Sequence, residues 1–178
     1  MTKSGFLSRF ALAVVAAASA ATVLSAQQSA AQAKPVPQPD PHAQMHARGN
    51  HVMGFDQDKT THQFLLFEDG GAIDVRVNDA KDTANRDAVR SHLPHITRLF
   101  GAGDFSAPME VHDTAVPGTK ELAALKDRIQ YTYVETGSGG RIDIVTTDRE
   151  ALDAVHRFLR YQITDHKTGD SLQVGKRR

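Results

Sequence analysis

Ile73, Val75 and Val77 alternate with Asp74 and Arg76, and Ile129, Tyr131 and Tyr133 alternate with Gln130 and Thr132. This period of two is what a strand shows when one face is buried and the other is wet or covered. Elsewhere the apolar positions recur at helical spacing. Leu152, Val155, Leu159 and Ile163 form one stripe, introduced by Thr147 and Glu150 in the spacing of a capping box. A second stripe, Val89, Leu93, Ile96 and Phe100, predicts a helix over roughly 84–100. Pro94 lies inside it, removes a backbone donor and should kink it.

The same grammar occurs twice. Gly70-Gly71-Ala72-Ile73-Asp74-Val75 returns as Gly139-Gly140-Arg141-Ile142-Asp143-Ile144, and each copy is followed by a helical run holding Asp-Ala-Val, at 87–89 and at 153–155. Gly-Gly between strand-like runs reads as a hairpin turn. Each unit is therefore strand, hairpin, strand, helix. Two such units predict an α+β domain with an internal pseudo-repeat: a four-stranded antiparallel sheet with two helices packed on one face. A connector, 101–125, joins the units, with a short helix expected near 121–126; a connection of that length often carries function.

The ends of the chain read differently. Lys3 and Arg9 precede an apolar run from Phe10 to Leu24, with small residues at Ser25-Ala26 and Ala31-Gln32-Ala33, the pattern of a secretory signal peptide over 1–33. The run is shorter than the roughly 20 residues that span a bilayer, so no transmembrane anchor is expected after cleavage. No twin-arginine pair precedes it, which favours Sec-type export to a periplasmic or extracellular location. Both Ala26 and Ala33 suit cleavage. Removing 33 residues and their two positive charges from 178 leaves 145, with 19 basic against 21 acidic side chains, a balance of −2. Residues 34–50, opening with Pro35, Pro37, Pro39 and Pro41, read as a flexible linker, 51–170 as the single domain, and 171–178 as a solvated basic tail.

The near-neutral balance argues against a nucleic-acid partner. With no cysteine, disulfides, thiolate metal sites and thiol nucleophiles are excluded. The chain is instead rich in histidine, nine in all. Neutral imidazole is a common metal ligand and thioether selects soft copper, so His51, Met53, His62, His156 and His166 form a candidate pool for copper or zinc. Asp56, His112, Asp113 and Asp165 are candidates for binding a small ligand, Asp165 as an acceptor that orients an imidazole. His92 and His95 flank Pro94 and share a helix face in part. A hydrolase or lyase using His112 or His62 as base, with Asp113 or Asp56 as partner, is the less favoured alternative, because no nucleophile elbow or phosphate loop accompanies them. Asp74 and Asp143 occupy matched outer-face positions that a homodimer or a ligand could use.

Several segments together carry a resemblance: His51-Val-Met-Gly-Phe-Asp56, Thr60-Thr-His-Gln-Phe64, His112-Asp113 through Val116-Pro-Gly118, and Ala154 to Asp170 with its Asp165-His-Lys-Thr-Gly-Asp170 end. Over roughly 50–170 the chain resembles an uncharacterised family of small exported bacterial proteins. The resemblance implies export and one compact domain and brings no activity, cofactor or catalytic residue. An aspartate carbamoyltransferase label does not fit, since Ser-Thr-Arg-Thr-Arg is missing. The expected function is an exported small binding protein, for copper or zinc through His and Met, or alternatively for a small ligand or an envelope protein without metal.

Overall fold

The computed structural model describes residues 40–177. The expected signal peptide and the first residues of the expected linker lie outside them. The element order is α1 (Pro41–Met53), a 3-10 turn (Gln57–Lys59), β1 (Thr60–Phe67), β2 (Gly70–Val77), α2 (Thr83–Ala102), α3 (Ser106–His112), α4 (Thr119–Ala124), a second 3-10 turn (Lys126–Arg128), β3 (Ile129–Thr136), β4 (Gly139–Thr146) and α5 (Arg149–Asp165). The four strands form one antiparallel sheet in the order β1-β2-β4-β3, with the helices packed against it.

The pseudo-repeat is a real twofold relation. Ile73 faces Ile142 at the centre of the β2–β4 pairing, and Gly70 meets Val145 just as Gly139 meets Arg76. A shift of 69 residues relates the strands of the two halves, and a shift of 66 relates Val89 and Leu93 of α2 to Val155 and Leu159 of α5. Ile73, Val75, Ile142 and Ile144 point inward and bury against those helices. Each helix lies over the other half's hairpin: α2 packs on β3 and β4, and α5 on β1 and β2. Arg90 of α2 donates to the carbonyls of Thr136 (2.6 Å) and Gly139 (3.3 Å). The matching position in α5 is His156, whose Nε2 lies 2.9 Å from the Phe67 carbonyl and 3.1 Å from that of Gly70. Carbonyls at a hairpin base that would otherwise be buried without a donor are thus met in both halves, by different side chains.

Four sequence expectations need correction in detail. The hairpin loops are Glu68-Asp69 and Gly137-Ser138, and the Gly-Gly pairs open the strands that follow. Their requirement is close approach: a Cβ on Gly70 would stand 2.0 Å from the Ile144 carbonyl oxygen, and one on Gly139 2.0 Å from that of Val75. The cap of α5 is Asp148, accepting from Glu150 and Ala151 backbone amides at 3.0 Å, where the spacing predicts Thr147; a carboxylate adds favourable charge at the helix N-terminus. Residues 41–50, expected as linker, are helical: the Asp40 carboxylate accepts from the His42 amide, Pro41 fills the first turn, and Gly54 ends the helix at φ 74°.

The tail, finally, is docked rather than solvated. Gly175 forms a parallel bridge with Phe67 on the β1 edge, exchanging backbone hydrogen bonds with Leu66 and Glu68. The Arg177 guanidinium stacks 4.6 Å from the Phe67 ring centroid. It donates to Asp69 (3.0 Å), to Asp143 (2.7 Å) and to the carbonyls of Ile144 and Gly71. Asp143 also accepts from Arg141, whereas Asp74, its counterpart in the other half, lies 3.9 Å from Arg76. No described helix is long and apolar enough to cross a membrane.

Candidate functional site

Where α2 and α5 lie over the inner face of the sheet, their packing leaves a cavity of about 80 Å³. The floor is β1, β2 and β4, with Phe64, Ile73 and Ile142; α2 contributes His92 and Leu93, and α5 contributes Phe158, Gln162 and His166. The remaining side is closed by α1 and α3, which pack on one another and supply Met53 and Val111. Arg48 of α1 donates to the Val111 carbonyl at 2.8 Å, and His46 pairs with Asp58 at 3.2 Å, so the α1–α3 cover is fastened by polar contacts.

Four imidazoles gather here. His62 projects from β1 and stacks on His166 at the end of α5, ring centroids 5.7 Å apart and 13° from parallel. His112, at the end of α3, meets His166 edge-on at 4.9 Å. Phe55 stacks on His62 and contacts His92 edge-on, 5.8 and 5.7 Å away. Burial pushes the His62 ring down to about 4, helped by the neighbouring His92 and His46. Burial likewise lowers His92 to about 4, with His95 adding to it, and His166 to about 2, with His62, His112, His46 and His42 adding to it. All three rings are therefore neutral near pH 7, and a neutral imidazole offers one donor and one acceptor. No described residue forms a hydrogen bond with the ring nitrogens of His62, His92 or His166.

His112 is held differently. Its Nδ1 stands 2.5 Å from Asp165 Oδ2 and its Nε2 3.0 Å from Gln162 Oε1. Both His112 and Gln162 are buried, and the Gln162 amide nitrogen has no hydrogen-bond partner.

Of the metal candidates, Met53, His62 and His166 share the cavity. His51 is exposed near the end of α1, beside Arg48 and Glu110 in an outer groove. His156 is spent on the hairpin carbonyls, away from the cavity lining. Among the described residues no three His, Asp or Glu side chains converge as a metal site. The near-parallel His62 and His166 rings aim their lone pairs along separate planes, while zinc needs nitrogens converging at about 2.0–2.1 Å. Of the ligand candidates, His112 and Asp165 are joined directly. Asp113 is exposed in a left-handed conformation (φ 53°) that ends α3, and Asp56 caps the 3-10 turn and pairs with Lys59. The pairs His112–Asp113 and His62–Asp56, which a hydrolase reading would use, are not formed. Two polar lining residues, His92 and Gln162, are not among the sequence candidates. His92 pairs in the sequence with His95 across Pro94, and Gln162 carries no motif; aligning α5 on α2 sets Gln162 opposite Ile96, a polar residue at a core position.

In comparison with known proteins, no family model, curated protein or solved structure matches this chain.

Proposed function

We propose that the protein is an exported small binding module that takes a small uncharged molecule into the cavity between the sheet and its helices. The observation that carries this reading is the set of three neutral imidazoles, His62, His92 and His166, lining an apolar cavity with ring nitrogens that nothing in the described chain engages. In the same lining Gln162 Nε2 is a buried donor without a partner; buried polar groups are ordinarily hydrogen-bonded, so a cavity whose lining leaves one unpaired suits a molecule that supplies the partner. The volume matches about two or three waters at roughly 30 Å³ each, so the occupant is small. The apolar run at 10–24 with small residues after it supports the exported location.

One observation favours a second reading, in which Met53, His62 and His166 bind copper or zinc: all three side chains border the same cavity. It requires the stacked imidazoles to turn. The test is native mass spectrometry with elemental analysis on protein isolated without chelators or an affinity tag. A small organic adduct that the His166→Phe variant lacks supports the first reading. About one equivalent of metal, lost in His62→Ala, favours the second. A preparation carrying neither, with methyl NMR signals of the lining unmoved by pressurised xenon, overturns the cavity reading.

A further inference from the structure

Gln162 is only 4% exposed, and its two amide atoms meet different fates. Asp165 Oδ2 can only accept, so the 2.5 Å contact places a proton on His112 Nδ1. At 3.0 Å His112 Nε2 faces Gln162 Oε1 and holds the amide by that atom. Asp165 thereby orients His112, and His112 fixes the amide. What remains is Gln162 Nε2, a buried donor without a partner in a residue that lines the cavity. Among the described residues four buried side-chain atoms are left unpartnered, on His42, Tyr131, Tyr133 and Gln162, and of these only the last belongs to the lining.

Resting on the cavity reading above, we infer that Gln162 is the specificity-determining residue of the cavity, and that its ligand is a small neutral molecule bearing a carbonyl-type acceptor on an apolar body. The acceptor meets Gln162 Nε2, and the body lies against Phe64, Leu93 and Ile142. An anion is disfavoured because no Lys or Arg lines the cavity, and a buried charge without a counter-charge is costly. A pure hydrocarbon is disfavoured because it leaves the amide donor unsatisfied. Asp165 and His112 act through Gln162 and are positioning residues.

The test uses two probes of the same shape, acetone and isobutene, titrated into the full-length protein while the methyl signals of Met53 and Ile142 are followed by NMR. The affinity of acetone relative to isobutene should fall about tenfold in Gln162→Leu, the factor one buried hydrogen bond provides, because the carbonyl is there buried without a donor. Asp165→Asn changes a residue whose side chain is 40% exposed. It should reduce the acetone preference while leaving isobutene unchanged, and it keeps the test open if Gln162→Leu does not fold. An affinity ratio that Gln162→Leu leaves unchanged overturns the inference and leaves the cavity reading standing; a ratio that shifts toward acetone in that variant overturns it too, and means that the amide stands turned with its oxygen facing the ligand. A preference that survives in the variants removes Gln162 from its role. Saturation by neither probe overturns the cavity reading as well.

Discussion

The two halves of the molecule share a frame and differ at the cavity. Val89 and Leu93 of α2 recur as Val155 and Leu159 of α5, all four buried, and Asp82 and Asp148 cap the two helices alike. Further along, the correspondence fails in one direction: Ile96 becomes Gln162, and Phe100 becomes His166. In the strands, Tyr131 corresponds to His62. The substitutions are coupled in space. Phe100 meets Tyr131 with ring centroids 5.8 Å apart, and the equivalent pair, His166 and His62, stands 5.7 Å apart. One end of the domain is thus closed by aromatic packing, with Phe105 and Phe158 against Phe100. Across the cavity, which Phe100 and Phe158 also line, the equivalent positions carry imidazoles that stack where the aromatic pair meets edge-on. Along the inner helix faces, symmetry is kept at Val89/Val155 and Leu93/Leu159 and broken at Ile96/Gln162 and Phe100/His166, four residues that all line the cavity.

The largest expected effect that sharpens this contrast is its pH dependence. An unfolded chain takes up protons on His62, His92 and His166 as the pH falls through about 6.5, while the folded chain refuses them until about 4, or about 2 for His166. Their contribution is complete above 6.5 and drains away as the pH drops toward 4, by at most about 1.4 kcal/mol per pH unit for each ring. Urea unfolding between pH 7 and 4.5 should show this slope, and His166→Phe should make it shallower. A stability that does not change over that range contradicts the buried neutral rings.

Next in size is a matched pair of truncations. Phe158 and His92 occupy equivalent helix positions. Phe158→Ala empties the fully buried centre and should cost about 3–5 kcal/mol. Both residues line the cavity, but His92 is smaller and partly exposed and makes no hydrogen bond, so His92→Ala should cost well under half as much. Chemical denaturation of both variants checks the ratio, and equal losses erase the distinction between the two ends.

A smaller effect is expected from Arg177→Ala. The guanidinium ties the tail to Asp69, Asp143 and the strand carbonyls, and its counterpart site has Ser138 and Thr136 where this one has Asp69 and Phe67. Because Asp69 is nearly half exposed, the loss should be about 1 kcal/mol and should shrink in high salt, as seen by urea melts at two ionic strengths. Smallest, and symmetric, are the helix caps: Asp82→Ala and Asp148→Ala should each cost about 1 kcal/mol or less, and by similar amounts in thermal melts.

Much of the frame was legible in the sequence, because its signals are local and repeated. The Gly-Gly-x-Ile-Asp echo, the alternating strands and the two apolar stripes specify the units, and pairing like with like places β2 beside β4. Helix α1 was not legible: its apolar periodicity is faint, and it exists because its cap and its contact with α3 hold it. The docked tail depends on Phe67, Asp69 and Asp143, which lie far from Arg177 in the chain. The site divides the same way. Met53, His62, His112, Asp165 and His166 could be chosen by residue type, but which of them converge is a property of packing, and it leaves His51 and His156 elsewhere. Gln162 belongs to no chemical motif; comparison of the two halves is the signal that finds it.

The most direct test of the account is His166→Phe, which gives α5 the residue that α2 carries at Phe100. The His166 ring makes no hydrogen bond, so if that end is held open for a ligand at the expense of packing, the variant should unfold at higher temperature, by about 1 kcal/mol in stability, and should no longer take up acetone. A lower melting temperature together with undiminished uptake would contradict it, leaving the imidazole end as framework like the rest.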